Sequence, residues 1–363
     1  MEQVIIIGAG VMGCSVAHRL LEAGFKVTLL EKSIPGAESS AAAAGILGAQ
    51  SEVAETGPFF ELCLASRTRF REYAKELEVL SGVSIDYEDS GVLEVALDPA
   101  EGRLAIGRAE WMLDRGLRVD VLDREQAKKI EPALTDNMVG ANFYPDDHQI
   151  DPIRLARSLA AGVAKLGGIF KSGVVVTGLA VEDGIVVGVD TDSGVISCDR
   201  VVIAGGAWSS NLDGLKAVRT KVKPMAGQII QAESRPPLFR HVVYGFKGYI
   251  VPRADGRVLM GSTLEDRGFD KAVTLAGINR ITNMAIEMVP NLAEARLTKT
   301  WSGLRPAPED GKLLLGAAKE IKNLFFATGH YRNGILLTPI TAEVIRDLML
   351  GREPQVDIST FCP

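Results

Sequence analysis

Six residues near the start of the chain, Gly8-Ala9-Gly10-Val11-Met12-Gly13, have the types and spacing to bind a phosphate group. In a G-x-G-x-x-G turn the first glycine permits a tight bend and the second lets the backbone approach a pyrophosphate at a positive helix N-terminus. The third lets helix and strand pack closely. Glu31 follows Gly13 by eighteen residues. An acid there accepts hydrogen bonds from a ribose diol and repels a 2′-phosphate, so an adenosine ligand of the FAD or NAD kind is favoured over NADP. The competing reading is a packed strand-turn-helix with no ligand. The strand, helix and distal acid in register argue against it.

Such a turn works only between particular elements, and the flanking residues supply them. Val4-Ile5-Ile6-Ile7 reads as a buried strand, and Val11 to Ala23 as a helix with Val16, Ala17, Leu20 and Leu21 at helical spacing. Gly24 is its stop, and Val27 to Glu31 is the next parallel strand. Ser39-Ser40-Ala41-Ala42-Ala43-Ala44-Gly45-Ile46-Leu47-Gly48 has almost no side-chain bulk. Either something approaches its backbone closely, or it is a tightly packed helix N-terminus capped by Ser39 or Ser40. Phe59 to Leu80 reads as a solvent-facing helix without chemistry.

From about Ile85 to Phe143 short strands mix with a helix near Glu101 to Arg115, a departure from strand-helix alternation that suits an inserted α+β domain. Asp151-Pro152 opens a helix, Ile153 to Leu166, and a three-stranded meander with turns at Glu182-Asp183-Gly184 and Asp192-Ser193-Gly194 follows. An apolar strand then runs into Ala204-Gly205-Gly206-Ala207-Trp208, which reads as a second backbone turn beside the first or as a plain tight turn. Residues 222 to 300 are strands with one helix near Ala276 to Met288, a return of the inserted domain. The last unusual segments are Trp301 to Pro306 and the strand, polar turn and helix from Phe325, with Pro339 in the helix's first turns. The fold class is therefore α/β. A Rossmann-like nucleotide domain (1–84, 151–221 and 300–363) carries an inserted α+β substrate domain (85–150 and 222–299).

Composition narrows the function. A chain of 363 residues with 47% apolar and 24% charged residues is long enough for two packed domains. A formal charge of −6 provides no electrostatic footprint for nucleic acid or an anionic membrane surface. Cys14, Cys63, Cys198 and Cys362 are too widely spaced for a zinc site, so no metal is expected and a reducing cytoplasm is the natural compartment. The N-terminus enters its first strand at once and lacks a basic leader, so no secretory signal is expected there. No apolar run reaches the roughly eighteen residues of a membrane span.

Taken in order, these segments resemble the flavoprotein family of D-amino-acid oxidase, sarcosine oxidase and glycine oxidase over nearly the whole chain, and most closely its bacterial glycine oxidase branch in thiamine biosynthesis. The residues that carry the resemblance are the opening turn with Glu31, Ser39 to Gly48, Ala204 to Trp208, Tyr249-Ile250-Val251-Pro252-Arg253, Gly303-Leu304-Arg305-Pro306 and Gly329-His330-Tyr331-Arg332-Asn333-Gly334-Ile335. The resemblance implies a Rossmann-like FAD-binding domain and noncovalent FAD. The cofactor's pyrophosphate would lie at Gly8, Gly10, Val11, Met12 and Gly13, with its adenosine ribose on Glu31 beside Lys32. Ser39, Ser40, Ala43, Gly45, Ile46 and Leu47 would line the route to the flavin ring, with Val174 near the adenine and Ala204, Gly205 and Trp208 as a brace. His330, Arg332, Asn333, Gly334, Ile335 and Leu336 would form the loop at the pyrimidine end of the flavin, where backbone donors favour hydride acceptance.

By the same resemblance Arg305 anchors a substrate carboxylate in a bidentate fork, Tyr249 adds a hydrogen bond, and Arg332 is a second cation nearby. The implied reaction is oxidation of a small amine, namely glycine, sarcosine or a small D-amino acid. A hydride passes to flavin N5 and oxygen is the acceptor, giving an imine or 2-oxo acid, ammonia and hydrogen peroxide. The alternative is a dehydrogenase with another acceptor; a noncatalytic FAD- or NAD-binding protein would not need Tyr249 and Arg305. Lys247-Gly248 and Leu264 stand where well-known relatives have histidine and methionine beside the substrate pocket. No cysteine occupies the C-terminal region where sarcosine oxidase attaches its flavin. A homo-oligomer is left open.

Overall fold

The computed structural model describes residues 2–215 and 221–363. Met1 and residues 216–220, at the ends of the expected blocks 1–84 and 151–221, lie outside the described residues. Six strands form the first sheet, in the spatial order Leu314–Ala317, Leu324–Thr328, Arg200–Ile203, Gln3–Ile7, Lys26–Glu31 and Ile169–Ser172. All neighbours are parallel except the first pair. Val4 and Ile6 pack into one core cluster and Ile5 and Ile7 into another, because successive strand side chains point to opposite faces. Both faces are covered, which explains a continuous apolar run in place of alternation.

On one face lie the helices Val11–Glu22, Pro152–Lys165 and Thr338–Met349, and the long helix Pro58–Ser81 packs against the latter two. That long helix has the expected solvent-facing side, with Glu61, Arg71, Glu72 and Lys75 exposed, and buries an inner stripe of Phe60, Leu62, Cys63, Phe70, Tyr73 and Leu77. The other face carries the three-stranded meander Val176–Glu182, Ile185–Thr191 and Gly194–Ser197. Its first turn has both central residues, Asp183 and Gly184, at positive φ of 47° and 76°, as a two-residue hairpin demands.

The second sheet has eight strands, and its edge is the pair Val222–Glu233 and Arg296–Pro308. These two strands run antiparallel with Met225 opposite Arg305, Gly227 opposite Gly303 and Ile229 opposite Trp301. The boundary expected between residues 299 and 300 therefore falls inside a strand, and Arg305 is carried by the second sheet. Next but one to this edge lies Gly248–Pro252, hairpin partner of Val242–Gly245, with Tyr244 opposite Tyr249. The helix Leu275–Met288 covers the far face of this sheet.

The small-residue segment joins the two sheets. Ser39–Ala42 is one short helical turn capped by neither serine. Ser39 Oγ donates to the Leu304 carbonyl, and Trp301 Nε1 donates to Ala42 O at 3.2 Å. A Cβ added at Gly303 would stand 2.5 Å from Ala42 Cβ. The lack of bulk thus serves close approach by the second sheet.

Candidate functional site

A cavity of about 600 Å³ runs between the two sheets, from Glu31 at one end to Arg305 and Arg332 at the other. Its first wall is the glycine turn. Gly8 has φ +99°, and a Cβ there would lie 2.6 Å from the Ala204 carbonyl oxygen, so the second backbone turn does stand beside the first. Gly10 is the N-cap of Val11–Glu22, and a Cβ at Gly13 would meet Gly8 O at 2.0 Å. Ser40 Oγ accepts from Val11 N at 3.1 Å, which ties the small-residue segment to the helix start. Glu31 accepts from Ala9 N and Ser33 N, each at 3.0 Å, so its carboxylate orders the turn and keeps further acceptor capacity for a diol.

Lys32 Nζ lies 3.2 Å from the centroid of the Trp208 ring, and Trp208 in turn packs on Phe269 with ring centroids 5.3 Å apart. Both Lys32 and Trp208 line the cavity with Val174, Ala204 and Gly205. Ala43, Gly45 and Ile46 line its middle, and a Cβ at Gly45 would fall 2.0 Å from Ile150 O. Gly8, Gly10, Val11, Met12, Glu31, Ser39, Ser40, Tyr249, Arg305, His330, Arg332, Gly334 and Ile335 also line it. Gly13, Leu47, Asn333 and Leu336 do not. Gly13 provides packing clearance, Leu47 and Leu336 are core side chains, and the Asn333 amide nitrogen is buried without a partner. His330 is buried with Nε2 2.9 Å from Thr341 Oγ1, and burial pulls its pKa down to about 3. Burial and the Thr341 contact favour the neutral ring.

The end of the cavity that carries Arg305 and Arg332 is built on the second sheet and the C-terminal turn. Arg305 donates to Ser262 Oγ and, at 3.4 Å, to the Thr263 carbonyl. Arg332 Nη2 donates to Glu52 Oε1 at 3.1 Å and to Tyr244 Oη at 2.8 Å. Tyr249 is 6% exposed and stacks on Tyr244 with centroids 6.4 Å apart. Burial pushes the Glu52 carboxyl up while Arg332 pulls it back, and the charge of Glu52 holds Arg332 firmly protonated. Lys247, Gly248 and Leu264, expected at the pocket border, do not line the cavity; Leu264 is 52% exposed.

Sequence reasoning missed Glu52, Tyr244 and Gly227. Tyr244 was accessible, since a two-residue turn at Phe246-Lys247 places it opposite Tyr249. Glu52 had no local signal. Its loop is held by the buried carboxylate of Asp147, which accepts from Ala49 N, Gln50 N and Ser51 N.

The backbone cradle at Gly8, Gly10 and Gly45, with an acid at one end and cations at the other, fits an extended dinucleotide. Known proteins agree with this geometry. The profile of the family described as FAD dependent oxidoreductase matches residues 3–348. The chain is 33% identical to a glycine oxidase of Geobacillus kaustophilus, with 99% of this chain and 95% of that protein covered. The crystal structure of glycine oxidase from Geobacillus kaustophilus superposes with a TM-score of 0.96 at 32% identity, covering 100% of this chain and 98% of that one. Hydrogen cyanide synthase subunit HcnC of Pseudomonas aeruginosa is 30% identical over 99% of this chain and 94% of that protein. With the match spanning both sheets and the cavity between them, the chain belongs to the FAD-dependent oxidoreductase family, and its cofactor is FAD.

Proposed function

We propose that the protein is an FAD-dependent amine oxidase acting on glycine or a similarly small amine, such as sarcosine or a small D-amino acid. The observation that carries this reading is Arg305. It is a part-buried guanidinium whose hydrogen-bond partners among the described residues are neutral, facing the same cavity as the glycine turn. A carboxylate offered to it gains a charge-assisted fork, and Tyr249 Oη adds a donor on the same side. Arg305 and Tyr249 thus orient the substrate so that its α-carbon faces the middle of the cavity, and catalysis rests on this alignment. The Ser39–Ala42 turn and Gly303 close the wall behind it and exclude water. FAD held by the Gly8-to-Gly13 turn and Glu31 would supply a two-electron acceptor for the α-hydrogen and its electron pair, with oxygen as the terminal acceptor. Glycine, oxygen and water would yield glyoxylate, ammonia and hydrogen peroxide.

His330 is bonded to Thr341 and burial lowers its basicity, so we assign it a structural role. The test is the visible spectrum of the purified protein under anaerobic conditions, before and after glycine, followed by air. Bleaching and rapid recovery support the reading. Bleaching only with sarcosine or D-alanine moves the substrate, slow recovery in air identifies a dehydrogenase, and no bleaching with any amine overturns it.

A further inference from the structure

Among the described residues, the substrate end of the cavity is lined by three charged side chains, Glu52, Arg305 and Arg332. They are not equivalent. Arg332 is committed to Glu52 through a 3.1 Å ion pair in which the Glu52 side chain is only 6% exposed, and it also donates to Tyr244 Oη at 2.8 Å. Among the described residues Arg305 hydrogen-bonds the Ser262 hydroxyl and the Thr263 carbonyl and has no ion-pair contact, feeling the Glu52 charge only at longer range than Arg332 does. The nearby pairs Arg67–Asp147 and Arg108–Glu94 are each neutral within themselves and do not line the cavity. With Glu52 ionised in its 3.1 Å pair with Arg332, the three side chains sum to one positive charge. A small amine with one carboxylate and a neutral nitrogen carries one negative charge, so the two match. A second carboxylate would find Arg332 already occupied and would face Glu52 instead, a repulsion that a buried site screens poorly.

We propose that Glu52 is the specificity-determining residue of this site, restricting it to monocarboxylate amines by neutralising Arg332 and leaving Arg305 as the anchor. This rests on the amine-oxidase reading above, but the contact it invokes is present without any ligand. Removal of the Glu52 charge, with its shape retained, frees Arg332 to take a second carboxylate.

The experiment uses the flavin-loaded protein and the Glu52→Gln variant. Binding of malonate and of acetate, neither of which is oxidised, is followed by the perturbation each causes in the visible flavin spectrum. In Glu52→Gln the preference for malonate over acetate should rise by about tenfold or more, and kcat/KM for iminodiacetate relative to glycine should rise in parallel. The double variant Glu52→Gln/Arg332→Gln should lose the gain. An unchanged preference, or a gain that survives in the double variant, overturns the proposal. Where Glu52→Gln fails to hold flavin, Arg332→Gln alone decides: it leaves Glu52 unpaired and should weaken malonate more than acetate, whereas equal losses overturn the idea. Binding of the two acids requires no turnover, so a protein that binds them as described yet is not bleached by glycine would sink the proposed substrate and leave the role of Glu52 standing.

Discussion

The guanidinium of Arg305 fills the space where residue 227 has no side chain: a Cβ built on Gly227 would stand 2.1 Å from Nη1 and 2.6 Å from Cζ. The strand register explains this, since Arg305 pairs with Met225 and its long side chain leans along the neighbouring strand over Gly227. The obstructed atoms are the far end of a flexible side chain, so Gly227→Ala should fold and keep its flavin while pushing Arg305 off the substrate carboxylate. A fall in kcat/KM of about 30-fold, mostly in KM, is expected from a lost charged partner worth about 2 kcal/mol. Steady-state kinetics on flavin-matched samples checks this, and an unchanged KM would show that Arg305 does not need that space.

Arg305 itself should be the more costly position. Arg305→Ala is expected to lower kcat/KM by ~30-fold or more, from the ~2–5 kcal/mol typical of a buried charged partner. Arg305→Lys retains the charge but not the planar fork and should recover only part of the loss. Full activity in Arg305→Lys would argue against bidentate binding.

His330 links acidity to stability. Its pKa is lowered from 6.5 to about 3 by burial, so between those values the unfolded chain binds one more proton than the folded one. The stability associated with neutral His330 is therefore complete above the unfolded value and is lost as pH falls towards the folded one. Between about pH 7 and about pH 5.5 the loss from this residue should be ~1 kcal/mol. Denaturant unfolding at the two pH values, repeated with His330→Gln, would measure it; an equal slope in the variant would assign the pH dependence elsewhere.

The turn at the start of the chain leaves no room for a methyl group. A Cβ at Gly13 would lie 2.0 Å from Gly8 O, a backbone atom that cannot rotate aside. Gly13→Ala should cost about 1–3 kcal/mol through overpacking and reduce flavin content, because Gly8 is part of the cradle. The ratio of flavin to protein absorbance after purification reports the result. A fully loaded variant would mean that the helix can move outward without disturbing the site.

How much of this was legible in the chain depends on how far apart the cooperating residues lie. The strand Gln3–Ile7, the glycine turn, the helix Val11–Glu22 and Glu31 all sit within the first thirty-one residues. Glycine spacing, an apolar run and a helical stripe are local backbone and burial constraints, so the sequence by itself determined the nucleotide half and the sign of its distal acid. The meander was equally plain, through an Asp-Gly hairpin turn. Of the two readings of Ser39 to Gly48, close approach holds and serine capping does not, because tertiary partners, Leu304 O and Val11 N, take the two serine hydroxyls.

Only the tertiary structure decided the substrate end. Arg305 reaches its place through the register of two strands, with Gly227 as its bed, and the domain boundary expected at residue 300 cut through that pairing. Glu52 reaches Arg332 because Asp147, far along the chain, grips the backbone of residues 49–51. Neither relation has a periodicity to read. Both follow from long-range hydrogen bonding of buried polar groups, which must find partners wherever the fold brings them.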